Sequence, residues 1–327
     1  MTTLHAADVQ SNWYRKLHDL MPHRVREVLL VSSPYDAFTL EQDGHLTERL
    51  FTRYSELNLS SAPRITHASS GGKAMDLIRQ RRFDLVITMV RLADMDVNAF
   101  GKSVKEADPS MPVVLLAFTE AELRQFPGSV DPESVDRVFL WTGDTRILLS
   151  IIKQVEDEKN APYDTKKAGV RVILVVEDSI RRYSTFLSFL YEELMVQSHS
   201  LIEEGLNDLH KLMRMRTRPK ILLATDYEEA QTLFSQYSKY LFALITDVRF
   251  PKEGETIPKA GFDLVEEVQG VKGKDFPILV QSSELENAQL AGGLGVSFAD
   301  KNSETFNRSV QSFLKQDLGF GDFVFCM

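Results

Sequence analysis

Two stretches of the chain, one in each half, share one pattern residue by residue. The first, residues 83–93, reads FDLVITMVRLA, and the second, residues 241–251, reads LFALITDVRFP. Each is an apolar run of strand length, and Met89 stands in the first where Asp247 stands in the second. The apolar runs around them recur in the same order. Such a repeat predicts two copies of one fold, and 327 residues suit two domains of about 150 residues each.

Strand-length apolar runs alternate with amphipathic, helix-length segments throughout both copies. This alternation predicts parallel strands joined by crossover helices. The expected fold class is therefore α/β, with two flavodoxin-like, doubly wound domains, each a five-stranded parallel sheet flanked by helices. A charged, proline-containing stretch separates them and is predicted to be a linker. The predicted order is a lead-in (1–24), a first domain (25–158), the linker (159–169), a second domain (170–317) and a tail (318–327).

The composition excludes several classes of protein. A net charge of −9 argues against a broad nucleic-acid footprint. No apolar run approaches the roughly 20 residues that a membrane-spanning helix needs, and no secretory signal is visible at the N-terminus. The single cysteine, Cys326, provides neither a disulfide framework nor a cysteine-rich metal site. A cytoplasmic setting is the default expectation.

Four strand ends in the second copy carry polar groups. The run 172–176 is followed by Glu177 and Asp178, and the run 241–246 by Asp247. Two further runs end at Ser282, with Ser283 beside it, and at Lys301. Because open α/β folds place their chemistry at the carboxyl ends of strands, these side chains are expected to lie at one edge of the sheet.

An acid pair, an acid, a hydroxyl and a lysine in this order resemble the response-regulator receiver domain, over residues 170–317. The resemblance implies that Asp247 accepts a phosphoryl group, while Glu177 and Asp178 bind Mg²⁺ together with Asp247. It also implies that Lys301 pairs first with Asp247 and then with a phosphoryl oxygen. Either Ser282 or Ser283 would bind that oxygen. Phe298, three residues before Lys301, falls where receivers carry a rotating aromatic switch residue.

Two features depart from the receiver pattern. An insertion, residues 252–260, follows the phosphoacceptor, and its alternative explanation is a tolerated surface loop. Apolar residues at three- and four-residue steps predict an extended first helix in the second domain, over residues 181–216. Its apolar stripe predicts a homodimer or the docking of another domain, with packing inside the domain nearly as well supported.

The first copy lacks the chemistry of the second. Ser32 and Ser33 replace the acid pair, and Met89 replaces the phosphoacceptor. Ala117 stands in place of the hydroxyl and Trp141 in place of the lysine. With no carboxylate at these strand ends, the first domain is predicted to be a pseudo-receiver that neither binds metal nor accepts phosphate.

The resemblance thus implies a two-component response regulator that is not an enzyme beyond its own phosphorylation and dephosphorylation. Its partners would be a histidine kinase or phosphotransfer protein and an output protein or domain, without membrane or nucleic acid. One alternative is a scaffold in which both domains are silent. Another is a regulatory fragment, because the tail is similar to the junction that precedes PEP/pyruvate-binding, PEP-synthase-like domains.

Overall fold

The computed structural model describes residues 18–44, 46–57, 59, 62–125, 129–200 and 216–318. They form two compact units. The N-terminal unit consists of His23–Glu156 and Ile180–Glu192, and the C-terminal unit of Asp157–Ser179 with the described residues before 23 and after 192. The predicted lead-in up to residue 17 and the tail beyond residue 318 lie outside the described residues.

The N-terminal unit contains a five-stranded parallel sheet in the order β2-β1-β3-β4-β5. Its strands are β1 (Glu27–Val31), β2 (Arg64–Ala68), β3 (Leu85–Met89), β4 (Val113–Ala117) and β5 (Arg137–Leu140). Its helices are α1 (Pro34–Gly44), α2 (Leu46–Glu56), α3 (Gly71–Gln80), α4 (Val97–Ala107), α5 (Glu120–Gln125) and the first part of α6 (Arg146–Ala168).

The C-terminal unit repeats this order, with strands β12-β11-β8-β6-β7 all parallel. The five are β6 (Val172–Val176), β7 (Lys220–Ala224), β8 (Leu241–Asp247), β11 (Ile278–Ser282) and β12 (Ser297–Asp300). A hairpin of β9 (Phe250–Lys252) and β10 (Glu255–Ile257) lies between β8 and the next helix. The helices are α7 (Ile180–Ser200), α8 (Tyr227–Tyr237), α9 (Ala260–Lys272), α10 (Asn287–Leu294) and α11 (Phe306–Ser312).

The strands form where the sequence is continuously apolar, because both faces of each sheet are covered. Every residue of β3, β4, β6 and β7 is buried, as expected for parallel strands between helices. In each unit, numbered within itself, the strand order is 2-1-3-4-5, which is the flavodoxin-like doubly wound order. The predicted fold class is therefore confirmed for both copies.

α6 continues through the predicted linker, 159–169, as far as Ala168. Two acids in and beside this stretch form buried ion pairs within the C-terminal unit. Arg218 binds both carboxylate oxygens of Asp157, at 2.7 and 2.8 Å, and Lys220 Nζ lies 3.0 Å from Asp164 Oδ2. All four side chains are buried. Two acids of the charged stretch that predicted the linker, Asp157 and Asp164, therefore pair inside the C-terminal unit.

The predicted extended helix is helical over its described part, α7, and residues 201–215 lie outside the described residues. Its apolar stripe is buried within the chain, including Phe186, Leu190 and Leu194. Between residues 180 and 198 this stripe is therefore not available to a second copy, which corrects the predicted dimer surface for that segment. No helix in the described ranges is both long and apolar enough to cross a membrane.

In the N-terminal unit, the first part of α7 covers the open edge of β5. The Ser184 hydroxyl accepts a hydrogen bond from the Leu140 amide at 3.0 Å. The Tyr183 hydroxyl donates to the Val138 carbonyl oxygen. Backbone groups of an edge strand that would otherwise lack partners are thereby satisfied. The repeat pattern, which assigned this helix to the second domain, did not predict this contact.

The predicted insertion, 252–260, contains the second strand of the β9–β10 hairpin. The two strands are joined by Glu253 and Gly254, which both have positive φ angles of 54° and 79°, the conformation of a type I′ turn. Lys252 Nζ lies 2.7 Å from Asp263 Oδ2 and 4.2 Å from the centre of the Tyr227 ring. The insertion is thus a folded element that packs beside α8 and α9.

Candidate functional site

The carboxyl ends of four strands meet at one edge of the C-terminal sheet. β8 lies between β6 and β11, and β12 follows β11. Val176 is paired with Thr246, and Gln281 with Asp247, so the strands end at the same level. This register places the predicted residues along one rim: Glu177 and Asp178, Asp247, Ser282 and Lys301.

Three carboxylates cluster at this rim. One oxygen from each of Glu177, Asp178 and Asp247 lies within 4.8 Å of the others. Glu177 is buried and the other two are half-buried. Mg²⁺ is a hard cation that binds carboxylate oxygens, so these residues fit the predicted ion. In the described part of the chain, this is the only group of three acidic, histidine or cysteine side chains so placed.

The ammonium group of Lys301 contacts two of these acids. Its Nζ lies 2.7 Å from Asp247 Oδ2 and donates to Glu177 Oε2. The Lys301 side chain is only 4% exposed. Its backbone amide donates to the Ser282 carbonyl oxygen at 2.8 Å, which fixes the chain just after β12. The position of the positive charge is therefore set by the neighbouring strand.

One ammonium does not balance three carboxylates. Burial is the largest cause that raises the pKa of Glu177, to about 7; Lys301 opposes the shift, and the charge of Asp247 adds to it. Burial, followed by the charge of Asp247, also raises the pKa of Asp178. Both shifts mean that the ionised acids are disfavoured without further positive charge. A divalent cation has the charge that this site lacks.

Asp247 is held through its side chain and its backbone. The Val248 amide donates to its Oδ1 at 2.7 Å, while Lys301 binds its other oxygen. Gly261, near the start of α9, approaches its carbonyl group so closely that a Cβ there would lie 2.0 Å from the oxygen. Real atoms do not approach so closely, so the backbone next to Asp247 requires a glycine at this position.

Comparison with known proteins finds related sequences over a small part of the chain. No family model matches it. The transcriptional regulatory protein ZraR of Escherichia coli O157:H7 is 41% identical over 56 residues, 17% of this chain and 13% of that protein. ZraR of strain K12 is 39% identical over 56 residues. The match thus spans well under two thirds of these relatives.

Solved structures with similar folds include receiver domains. A signal receiver domain of an HD domain-containing protein from Pseudomonas fluorescens Pf-5 has 19% identity and a TM-score of 0.31, over 42% of this chain and 92% of that one. The chemotaxis response regulator CheY4 of Vibrio cholerae has 17% identity and a TM-score of 0.30, over 40% and 98%. A probable two-component system response regulator/GGDEF domain protein has 16% identity and a TM-score of 0.35, over 90% and 98%.

These likenesses agree with the predicted resemblance to response-regulator receiver domains. The fold of this chain is assigned from its strand order. The pairing of a silent copy with an active one and the link to PEP-synthase-like proteins stay predictions.

The two predicted switch residues lie beside the rim. Ser282 is buried, whereas Ser283 is exposed. Its oxygen accepts hydrogen bonds from Asn287 Nδ2 at 2.9 Å and from the Glu284 amide at 3.1 Å. Phe298 is half-buried and packs against the core of the C-terminal unit. Their roles in a switch remain predictions.

The rim of the N-terminal sheet has no carboxylate at the corresponding strand ends. Ser32, Met89 and Trp141 are buried there, and the Ser32 hydroxyl lies 2.9 Å from His67 Nε2. That this copy neither binds metal nor accepts phosphate stays a prediction. Ala117 ends β4 and has no polar side chain.

The loop after β3 contains acids that serve a structural purpose. Asp94 accepts hydrogen bonds from the Gly71 and Gly72 amides, both at 2.8 Å, at the start of α3. The bond from Gly72 is the largest cause that lowers the pKa of Asp94. Asp96 caps α4 by accepting from the Ala99 amide at 2.9 Å. The Asp94 carboxylate thus caps the N-terminal end of α3.

Two residues of the candidate site were not predicted from the sequence. The close approach of Gly261 to Asp247 depends on how the hairpin returns the chain, and no spacing rule encodes that return. Asn287 binds Ser282 from five residues further along the chain. An asparagine at the start of a helix usually indicates a cap, so its sequence context pointed elsewhere.

Proposed function

We propose that the C-terminal unit is the phosphoacceptor receiver of a two-component response regulator, and that Asp247 accepts the phosphoryl group. One observation carries the proposal. The Asp247 carboxylate lies at the rim of a parallel sheet within 4.8 Å of two other carboxylates, with an ammonium group 2.7 Å from one of its oxygens. A nucleophile, a cation site and a counter-charge for the transferred oxygens are thereby combined in one place.

The transfer makes one bond and breaks one. A carboxylate oxygen of Asp247 attacks the phosphorus of a phosphohistidine on the donor protein, forming an acyl phosphate. The phosphorus–nitrogen bond breaks, and the imidazole nitrogen keeps the electron pair and takes up a proton from solvent. Lys301 is already bound to Asp247 and is placed to bind a phosphoryl oxygen as its negative charge arrives.

Glu177, Asp178 and Asp247 would hold the Mg²⁺ ion. When bound, the ion offsets the repulsion between clustered acids and the incoming phosphoryl group. Ser282 and Phe298 would then respond to the modified Asp247, so that a surface of the C-terminal unit changes between two states.

The remaining expectations follow from this role. The N-terminal unit is proposed to take no phosphate, because its strand ends carry no acid. The donor is a histidine kinase or phosphotransfer protein, the reader is an output protein or domain, and the setting is cytoplasmic. Beyond transfer and hydrolysis at Asp247, we propose no enzymatic activity and no nucleic-acid binding.

Incubation with acetyl phosphate and Mg²⁺, followed by intact-mass measurement, tests the proposal. We expect a gain of about 80 Da, the mass of one phosphoryl group. Asp247→Asn should abolish it, while Asp275→Asn, a change at an exposed acid of the same unit, should leave it intact. Absence of labelling in the unmodified protein, with a donor proven on a known receiver, would favour the scaffold that is silent in both units.

A further inference from the structure

The hydroxyl of Ser282 is held by a buried side chain outside the receiver pattern. Asn287 Nδ2 donates to Ser282 Oγ at 2.9 Å, and both residues are less than 8% exposed. The Glu284 amide donates to the same oxygen at 3.1 Å. With two donors on its oxygen, the Ser282 hydroxyl is fixed in orientation at the rim.

Asn287 is also the first residue of α10, a helix with little stability of its own. α10 is only eight residues long and contains Gly292 and Gly293, and each glycine costs a helix about 1 kcal/mol relative to alanine. The preceding residue, Glu286, provides no side-chain cap. The side-chain amide of Asn287 donates back to Ser282 Oγ, so this bond ties the helix start to the rim.

The corresponding helix of the N-terminal unit, α5, begins differently. Thr119 accepts a hydrogen bond from the Glu122 amide at 3.2 Å, and Glu122 accepts one from the Phe118 amide at 2.8 Å. This is a reciprocal cap within the helix start, and β4 ends at Ala117, which has no hydroxyl to hold. The bond between helix and strand end is therefore a feature of the unit that carries the acids, not of the fold.

We propose that Asn287 is a positioning residue that holds the Ser282 hydroxyl away from the phosphoacceptor and couples it to α10. This inference rests on the proposed function. When Asp247 carries a phosphoryl group, the Ser282 hydroxyl turns to donate its proton to a phosphoryl oxygen. The turn moves Ser282 Oγ out of reach of Asn287, and the start of α10 is released.

A double-mutant cycle on the full chain tests the coupling. We expect Asn287→Ala to speed phosphoryl uptake from acetyl phosphate about threefold to tenfold, the effect of one hydrogen bond. In the Ser282→Ala background the same change should have no further effect, since there is no hydroxyl to release. Gln289→Ala, on an exposed residue of α10, is the matched control and should leave the rate unchanged.

Hydrogen exchange gives a second measurement that needs no phosphate. In the free protein, Asn287→Ala and Ser282→Ala should each speed hydrogen exchange of the α10 amides. The double variant should exchange no faster than either single variant. Asn287→Ser, too short to reach Ser282, should behave as Asn287→Ala does and guards against a folding defect in one variant. If Asn287→Ala changed the rate of phosphoryl uptake equally with Ser282 present and with Ser282→Ala, the inference would be overturned. This outcome would leave the labelling of Asp247 itself intact.

Failure of the proposed function would look different. The unmodified protein would then take up no phosphoryl group, and the exchange data alone would decide the contact. If neither Asn287→Ala nor Ser282→Ala changed the exchange rate of the α10 amides, the coupling would be refuted in that case too.

Discussion

At the scale of residues, the chemistry of the C-terminal rim follows from an imbalance of charge. Glu177, Asp178 and Asp247 face one lysine ammonium. Such an arrangement costs folding free energy in the absence of a cation, because like charges repel at short range in a partly buried site. Function and stability therefore make opposite demands on the same side chains.

Replacing one acid should reveal this opposition. We expect Asp178→Asn to raise the metal-free free energy of unfolding by on the order of 1 kcal/mol, because one repulsive charge is removed. For the unmodified protein, Mg²⁺ at 100 times its dissociation constant should add about 2.7 kcal/mol, and EDTA should reverse it. In Asp178→Asn this gain should be largely lost. Thermal melting with and without Mg²⁺ measures both; destabilisation of the metal-free variant would contradict the argument.

Two glycines of one helix form a matched pair. Gly261→Ala should destabilise the C-terminal unit by about 1–3 kcal/mol, the usual cost of overpacking, and should reduce labelling of Asp247, whose carbonyl oxygen the new Cβ meets. Gly270, also in α9, has nothing within 4 Å of its Cβ position. Gly270→Ala should stabilise by about 0.5–1 kcal/mol. Urea unfolding and intact mass distinguish them, and equal effects of the two changes would refute the proposed contact.

At the scale of elements, the sequence predicted what strands determine. Parallel strands read as continuous apolar runs, and the residue after each run is necessarily at the rim, so Asp247 and Lys301 could be placed from the chain alone. Side-chain contacts between distant segments leave no such periodic trace. The hairpin over the insertion and the bond from Asn287 to Ser282 therefore had to come from the structure.

The contact of α7 with β5 is also a contact between segments distant in the sequence, and it can be tested. Ser184→Ala removes the acceptor of the Leu140 amide, which lies on the open edge of β5. Leaving a buried donor without a partner costs about 1–3 kcal/mol, and we expect that loss in urea unfolding of the N-terminal unit. Thr185→Ala, one residue later and exposed, should change stability by less than about 0.5 kcal/mol. Equal stabilities of the two variants would contradict the edge-covering role.

At the scale of the whole molecule, the charged stretch that predicted the linker lies partly in the interior, because Asp164 within it is buried. The composition of a segment shows that its residues are charged, but it does not show whether they form ion pairs with residues distant in the sequence. In the C-terminal unit the side chains of Lys220 and Asp164 are fully buried, and Lys220 Nζ lies 3.0 Å from Asp164 Oδ2. The sequence around Asp164 does not predict a lysine that lies so far along the chain. Composition alone therefore predicts a surface position for charged residues that form buried ion pairs of this kind.

Breaking that pair should cost far more than breaking a surface pair. Lys220→Met leaves Asp164 buried without its ammonium partner, and we expect a loss of about 3–5 kcal/mol in urea unfolding of the C-terminal unit. Adding Asp164→Leu should recover much of it, since no unpaired charge remains. Arg79→Ala, which breaks an exposed pair with Asp76, should cost less than about 1 kcal/mol. Similar losses from the buried and exposed changes would contradict this assignment.

α7 contributes Ile180–Glu192 to the N-terminal unit and its remaining residues to the C-terminal unit. This division bears on the order in which the chain can fold during synthesis. The N-terminal unit includes Ile180–Glu192, so its last strand keeps an open edge until the ribosome has passed that segment. By then β6 has already been synthesised, and at ordinary elongation rates the delay is on the order of seconds. We expect the nascent chain to expose the edge of β5 during that interval, and unpaired strand edges are prone to aggregation.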